Sequence, residues 1–192
     1  GSEKCFWKLP GVITTSVGYA GGEKNNPTYY EVCSGLTGHS EVVRVIWDKR
    51  EIDVSDLLKM FWECHDPTQK NRQGNDMGTQ YRSAIYYKNE NNIKTILASK
   101  EQYQTELSKK NLGLIETEIK MIDSYFYAEQ YHQQYLASAG SRQYCSASPT
   151  KVKLGVFTGS NYKLEDHIWE NFNWEVDKCV LRSDNNPIKN NI

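Results

Sequence analysis

The stretch EVVRVIWDKREIDVSDLLKMFWE, residues 41–63, predicts a β-strand followed by an amphipathic helix. In residues 41–47, apolar side chains occupy most positions of both alternating rows, and Arg44 interrupts one of them. This pattern is typical of a strand buried in the middle of a sheet. In residues 52–63 the apolar side chains recur at helical spacing, and Asp53 or Ser55 can cap the first turn. We therefore expect a central strand and, after it, an amphipathic helix.

Further elements on both sides of this stretch follow from the same signals. Pro10-Gly11 ends a short helix over residues 2–9, and Gly21-Gly22 ends a strand over residues 12–19. Towards the C-terminus the patterns predict a strand over 83–87, a helix over 90–109, a strand over 116–122 and a last helix over 128–137. The order helix, strand, strand, helix, strand resembles a split β-α-β unit whose first strand, normally central, has been cut away. The expected fold class is α+β, a two-layer ferredoxin-like sandwich.

The C-terminal part of the chain differs in composition from the rest. Residues 138–148 are small and polar, and residues 185–192 are rich in asparagine, which predicts a long, mostly irregular arm. A chain of 192 residues suffices for one compact domain plus an extension. We place the domain at residues 1–137 and the arm at residues 138–192.

Charge and hydropathy exclude two classes of partner. The 23 Lys and Arg residues balance 24 Asp and Glu residues without a long run of either sign, so nucleic acid is not an expected partner. No segment approaches the roughly 18 to 20 apolar residues of a membrane span, so a membrane is not expected either. Five cysteines without a C-x-x-C spacing favour a reducing compartment. We expect a monomer in the cytoplasm, or in an organelle if a targeting segment precedes Gly1.

The cysteines and histidines do not form a recognisable metal site. Cys33 lies six residues before His39, and Cys64 adjoins His65, but neither spacing places two ligands on one ion. We interpret Cys33 and Cys64 as inert buried thiols, and His65 and His132 as histidines with ordinary hydrogen bonds. Cys145 differs, because its small, polar surroundings would let an exposed thiol move to a partner, although composition leaves its role open.

Four polar residues stand at predicted loop-to-strand edges: Tyr29, Glu41, Asp76 and Tyr81. Such a set could hold a neutral carboxylic acid next to phenol donors, which stabilises a developing charge on oxygen. The alternative is that the tyrosines are ordinary surface or core residues and that Glu41 begins a strand exposed to solvent. The residue pattern alone leaves both interpretations open.

Many separate segments, taken together, resemble one enzyme family. In chain order these are LPGV (9–12), GYAGG (18–22), NPTY (26–29), TGHSEVVRV (37–45), FWE and HDP (61–67), RQGND (72–76), residues 78–86 and YHQQYL (131–136). The sequence is similar to the peptide-methionine (S)-S-oxide reductases, the A-type methionine sulfoxide reductases, from Gly1 to about Ser146.

The resemblance implies an activity and a role for each matching residue. The activity is reduction of the S-epimer of methionine sulfoxide, free or in proteins, by thiolate attack on the sulfoxide sulfur that leaves a sulfenic acid. Glu41, protonated, would donate a hydrogen bond to the sulfoxide oxygen together with Tyr29 and Tyr81, and Asp76 would hold the site by hydrogen bonding. Cys145 matches the first resolving cysteine and would form a disulfide, which thioredoxin or another dithiol resets without a cofactor.

The family's attacking residue lies in a Gly-Cys-Phe-Trp-Gly motif, which aligns with this chain in two ways. The gapless alignment matches Gly1 to the last glycine of the motif, so that a cysteine or selenocysteine just before Gly1 would attack. The other alignment makes Cys5 the nucleophile but requires a deletion before Leu9. We prefer the gapless alignment, which also places the first strand upstream. An alternative of another class is a non-catalytic fragment, a sulfoxide-binding module without the nucleophile.

The C-terminal arm departs from the family pattern. Many relatives have a second recycling cysteine shortly after the first, whereas here the next cysteine after Cys145 is Cys179. The sequence leaves open whether Cys179 serves that role or none, and it assigns no role to the arm after Lys151.

Overall fold

The computed structural model describes residues 1–175 and Asn186, and Cys179 lies outside these residues. The helices are α1 (Ser2–Trp7), α2 (Tyr29–Cys33), α3 (Val54–Glu63), α4 (Ile93–Lys109) and α5 (Asp166–Trp169). The strands are β1 (Val12–Ala20), β2 (Ser40–Trp47), β3 (Arg72–Gln73), β4 (Asp76–Met77), β5 (Ala84–Tyr87), β6 (Glu118–Met121) and β7 (Tyr125–Tyr127). Short 3₁₀ turns cover Thr79–Tyr81, Glu90–Asn92, Gln130–His132 and Tyr135–Ala137.

The strands form one three-stranded sheet and two smaller pairs. The three-stranded sheet is antiparallel in the order β2-β1-β7, and Tyr19 of β1 lies opposite Glu41 on one side and Phe126 on the other. Strands β5 and β6 pair in parallel through the crossover helix α4, and β3 and β4 form a small hairpin. Mixed helices and strands of this kind belong to the α+β class.

Strand β2 corrects the expectation of a central strand, because it is an edge strand of the described sheet. Val45 and Trp47 pack into an apolar cluster with Leu9 and Ile52, as expected of a core face. On the other face Arg44 is exposed, and its guanidinium lies over the rings of Tyr125 and Tyr127. The arginine in the middle of the strand therefore marks a solvent-facing side.

Helix α3 joins the two largest apolar clusters. Leu58 and Trp62 face the α4 residues Ile96, Tyr103 and Leu107, and the Trp62 Nε1 donates to Ser99 Oγ at 2.9 Å. Leu57 and Met60 pack on the opposite side against Leu9 and Ile52. Burying each such side chain contributes roughly 1.5 to 3 kcal/mol. The helix starts as predicted, because the Asp53 side chain accepts from the Ser55 backbone N–H.

Residues 128–137 correct a second expectation, since they form two 3₁₀ turns and not one helix. The Gln133 amide hydrogen-bonds to both backbone groups of Val17 and to the Ala128 carbonyl, so a side chain takes the place of a neighbouring strand. Gln134 has a left-handed backbone, φ 45°, and its N–H donates to the buried Glu3 carboxylate at 2.7 Å. These tertiary hydrogen bonds stabilise the 3₁₀ turns more than the backbone hydrogen bonds of a continuous helix would.

The segment of residues 138–175 is mostly irregular, with α5 as its helix, and it packs on the core through Trp174. Leu154 and Phe157 join the cluster between α3 and α4. Two carboxylates of α3 hold its backbone, because Glu63 accepts from the Leu154 N–H at 2.9 Å and Asp56 accepts from the Lys163 N–H at 3.0 Å. Side chains of α3 thus supply the hydrogen bonds that a regular element would supply itself.

The three methionines differ in exposure. Met60 is fully buried in α3, whereas Met77 on β4 is 71% exposed and Met121 on β6 is 51% exposed. Within residues 1–175 no helix combines the length and the apolar character that crossing a membrane requires.

Candidate active site

A cavity of about 290 Å³ opens between α1, the first strands and the 128–137 segment. It brings together the five residues expected to form a site, although they are far apart in the chain. Its walls include Tyr29, Glu41, Asp76, Tyr81 and Cys145. Gly1, Ser2, Trp7, His132, Tyr135 and Tyr144 complete much of the remaining wall.

Glu41 is the second residue of β2, and its side chain lines the cavity. Glu41 is an exposed residue of β2, but its side chain lies in the cavity wall, where partial burial disfavours the charged form of the carboxyl. This burial, with the negative charge of Asp76 as a second cause, raises the pKa of Glu41 to about 7. A carboxyl that keeps its proton near neutral pH can act as an acid.

Tyr29 is the first residue of α2, where a reciprocal cap between Thr28 and Glu31 starts the helix. Its backbone N–H donates to Glu129 Oε1 at 2.8 Å, and Tyr19 donates to the other oxygen of the same carboxylate at 2.8 Å. The Tyr29 phenol is hydrogen-bonded to the Cys33 thiol one turn along α2. That bond and burial raise the pKa of Tyr29, so its hydroxyl stays a donor.

Tyr81 ends the 3₁₀ turn that follows the β3–β4 hairpin, and its N–H donates to the Gly78 carbonyl at 3.0 Å. Burial raises the pKa of this phenol, and the charge of Glu41 raises it further. The charge of Glu41 also acts on Tyr29. The cavity therefore presents two protonated phenols around one carboxyl that titrates near neutral pH.

Asp76 and Cys145 are linked through Ser146. The Ser146 hydroxyl lies within hydrogen-bonding distance of the Asp76 carboxylate and of the Gln73 carbonyl. At Gly74, where φ is +58°, a Cβ would lie 1.9 Å from the Ser146 carbonyl oxygen. Only glycine allows this approach. The hairpin thus seats the segment 144–146, and with it Cys145, which is disulfide-bonded.

His132 belongs to the cavity wall, which sequence reasoning missed. Its ring lies 4.7 Å from the Tyr29 ring and 4.3 Å from the Tyr131 ring, between centroids. Burial lowers its pKa, and the buried Nε2 has no hydrogen-bond partner, which corrects the interpretation of a satisfied histidine. The motif YHQQYL contains His132, but the helix predicted for this segment did not show which side chains face the cavity.

The remaining thiols and histidines divide clearly. His65 is satisfied as expected, because its ring nitrogens lie 2.7 Å from the Phe61 carbonyl and 2.8 Å from Ser83 Oγ. Cys64 is buried, whereas Cys33 is half-exposed and bonded to Tyr29, so the interpretation of Cys33 as an inert buried thiol is wrong. Cys5 packs beside Leu9 and is absent from the cavity wall.

No metal centre is visible in the described part of the chain. Within residues 1–175 no three His, Cys, Asp or Glu side chains gather closely enough to hold an ion.

The geometry can be compared with known proteins. A family model described as "Peptide methionine sulfoxide reductase" matches residues 1–162. The chain belongs to this family. It is 56% identical over 154 residues to peptide methionine sulfoxide reductase MsrA of Azotobacter vinelandii, with 80% of this chain and 71% of the relative covered. The MsrA of Vibrio vulnificus is 55% identical over 152 residues, with 79% and 72% covered.

Solved structures give the same family. Methionine sulfoxide reductase A of Corynebacterium diphtheriae superposes with a TM-score of 0.63 at 41% identity, covering 77% of each chain. Mxr1 of Saccharomyces cerevisiae in reduced form superposes with a TM-score of 0.65 at 34% identity, covering 74% of this chain and 84% of that one. The methionine sulfoxide reductase described here is therefore an oxidoreductase that reduces methionine sulfoxide. The similarity does not favour the alternative of a non-catalytic binding module.

Proposed function

We propose that Glu41, Tyr29 and Tyr81 bind the sulfoxide oxygen and that Glu41 delivers the proton to it. The observation that carries this proposal is a carboxyl with a pKa of about 7 in a cavity whose two phenols remain protonated. A sulfoxide oxygen accepts hydrogen bonds and gains negative charge when its sulfur is attacked, so donors aimed at it stabilise the transition state. Asp76 supports this role, because its charge favours the protonated form of Glu41.

The attacking sulfur, in this proposal, belongs to the residue that precedes Gly1 in the protein's reading frame. Gly1 and Ser2 line the cavity, whereas Cys5 packs into an apolar cluster beside Leu9. The thiolate attacks the sulfoxide sulfur and forms an S–S bond, and the oxygen takes the proton of Glu41. The oxygen then passes to the attacking sulfur as an S–OH group, while the S–O and S–S bonds to the methionine sulfur break. The products are methionine, reduced by two electrons, and a sulfenic acid on the attacking sulfur, oxidised by two electrons.

Cys145 then resolves the sulfenic acid. Its thiol attacks the oxidised sulfur, a disulfide forms, and water leaves with the oxygen. The position of Cys145 in the cavity wall and its capacity to form a disulfide support this step. A dithiol of the thioredoxin type resets the pair, and Cys179 is the candidate for a second relay cysteine. No prosthetic group takes part in these steps.

We also propose the finer organisation of the molecule. The order α1, β1, β2, α3, β5 supports a ferredoxin-like split β-α-β sandwich, with residues 1–137 as the catalytic domain and residues 138–192 as an arm that carries the resolving cysteine. The absence of long basic runs argues against a nucleic-acid partner. Five cysteines without a C-x-x-C spacing support a reducing compartment such as the cytoplasm, where we expect a monomer.

The test is Glu41→Gln in protein expressed from the full reading frame. We expect the first-turnover rate on a methyl sulfoxide to fall by about 10² to 10³, the usual cost of removing a donor at a developing oxyanion. Glu90→Gln is the matched control, because Glu90 is exposed and outside the cavity wall. Cys5→Ser should also keep the wild-type rate. A Glu41→Gln protein with nearly full activity across neutral pH would refute the acid role.

A further inference from the structure

Arg82 belongs to the cavity wall, and its guanidinium donates four hydrogen bonds. It follows Tyr81 directly, and only 16% of its side chain is exposed. Its Nε donates to Glu118 Oε2 at 2.8 Å, its Nη1 to the Thr79 carbonyl at 2.8 Å, and its Nη2 to the Gly38 carbonyl at 2.9 Å and to the Tyr86 hydroxyl at 2.8 Å. Four of the five N–H groups of the guanidinium are thus used in fixed directions.

Two of these four acceptors lie in the backbone segments that carry two of the proposed oxygen donors. The Thr79 carbonyl lies in the same 3₁₀ turn as Tyr81, and the Gly38 carbonyl lies just before β2, three residues before Glu41. The other two acceptors, Tyr86 and Glu118, lie on the neighbouring strands β5 and β6. The planar guanidinium of Arg82 therefore connects both the turn of Tyr81 and the start of β2 to strands β5 and β6.

The Tyr86 and Glu118 side chains of β5 and β6 are also bonded to each other. The Tyr86 hydroxyl donates to Glu118 Oε2 at 2.6 Å, next to the ion pair that Glu118 makes with Arg82. A second connection runs through the backbone, because the fully buried Ser40 hydroxyl lies 3.2 Å from the Arg82 carbonyl oxygen. Residue 82 thus fixes the start of β2 by its side chain and by its main chain.

We propose that Arg82 is a positioning residue for sulfoxide reduction, which sets the spacing between Glu41 and Tyr81 so that both reach the same oxygen. The proposal rests on the function proposed above for those two side chains. The guanidinium is suited to the task because its donors lie in one rigid plane, whereas the single ammonium of lysine cannot reach both carbonyls and the carboxylate. A displacement of catalytic groups by about 1 Å can cost about 10² in rate.

The first experiment compares Arg82→Ala and Arg82→Lys in protein from the full reading frame. We expect the first-turnover rate to fall by about 10² in Arg82→Ala, with a smaller change in KM, since the fault lies in transition-state geometry. Guanidinium ion added in solution should restore part of the rate. Arg50→Ala is the matched control: the Arg50 guanidinium is bonded to Asp48 at the surface, and neither the substitution nor added guanidinium should alter the rate.

A loss of folding in Arg82→Ala would leave the proposal testable through Arg82→Lys and its pH profile. If Arg82 sets the position of Glu41, the pH at which the rate falls should move in Arg82→Lys. A uniform loss at every pH, with no response to guanidinium, would overturn the positioning role in favour of a general structural one.

The outcomes also separate this proposal from the one on which it rests. Near-wild-type rates in Arg82→Lys, together with large losses in Glu41→Gln and Tyr81→Phe, would overturn the role of Arg82 and leave the proposed function intact. Near-wild-type rates in Glu41→Gln and Tyr81→Phe would overturn the proposed function itself.

Discussion

At the scale of single residues, the surroundings of a carboxyl decide its chemistry. Glu41 and Asp76 line the same cavity, but partial burial and a like charge nearby raise the pKa of Glu41, whereas Asp76 receives a hydrogen bond from Ser146. The surroundings of Glu41 therefore suit a proton donor, and the hydrogen bond to Asp76 suits a supporting role. These differences follow from the surroundings of each carboxyl and not from its residue type.

The pH dependence of the first turnover follows from the raised pKa of Glu41. The protonated form is required, so the loss of this proton should make the rate fall as the pH rises through about 7. In Asp76→Asn the like charge is removed, so the pKa of Glu41 should drop and the fall should occur at lower pH. Pre-steady-state pH–rate profiles measure both. Asp123→Asn, at an exposed position outside the cavity wall, should keep the wild-type midpoint, and an unmoved midpoint in Asp76→Asn would contradict the coupling.

At the scale of elements, side chains replace regular hydrogen bonding around the site. Strong periodicity predicted β1, α3 and α4 from the sequence, because their stability is local or follows from one apolar face. The five-residue α2 and the three-residue β7 were missed, since so few residues show no period. Residues 128–137 were predicted wrongly because Gln133, bonded to Val17 far along the chain, determines their shape.

The candidate site was predictable only in part, for a similar reason. Its five residues came from resemblance to a family, whereas the pattern of the residues alone left their role open. The contacts of His132 with Tyr29, the bond from Cys33 to Tyr29 and the connections of Arg82 are properties of the folded chain. The spacing of residues in the sequence does not predict these contacts.

Gly74→Ala tests the seating of the recycling segment. The added methyl group would collide with the Ser146 carbonyl and occupy a backbone conformation, φ +58°, that favours glycine. We expect the first turnover to persist and dithiol-driven cycling to slow several-fold, because Cys145 is displaced. Single-turnover and steady-state assays separate the two. Gly113→Ala, where the nearest atom would be 3.4 Å from the new Cβ, is the control, and equal cycling rates in both variants would exclude this role of Gly74.

At the scale of the whole molecule, α3 holds the parts together. Its apolar residues join both main clusters, and its carboxylates Asp56 and Glu63 bind the backbone of residues 154–164. His65 extends this junction just beyond α3, because its ring connects the Phe61 carbonyl to Ser83 beside β5. The stability of the site thus depends on groups that never touch substrate.

The His65 junction should make the fold sensitive to acid. Burial lowers the pKa of His65 from 6.5 to about 4, so between these values the unfolded chain binds more protons and the free energy of unfolding falls as the pH drops. The expected contribution is about 3 kcal/mol. Glu3, Glu41 and Glu63, with raised pKa values, act in the opposite direction, so the slope must be compared between variants. Urea unfolding at a series of pH values should show a flatter acid limb in His65→Gln, whereas His167→Gln, at an exposed ring, should keep the wild-type slope.

The exposed methionines have a consequence for the upkeep of the enzyme population. An oxidant that damages other proteins also reaches the thioethers of Met77 and Met121, while Met60 is shielded in the core. Met77 follows Asp76, a residue of the cavity wall, in the chain, so the repair enzyme itself exposes a methionine that can be oxidised. An oxidised copy of the enzyme then carries methionine sulfoxide, the group that an intact copy reduces. The fraction of enzyme that stays undamaged under oxidative stress therefore depends on the intact molecules around each damaged one.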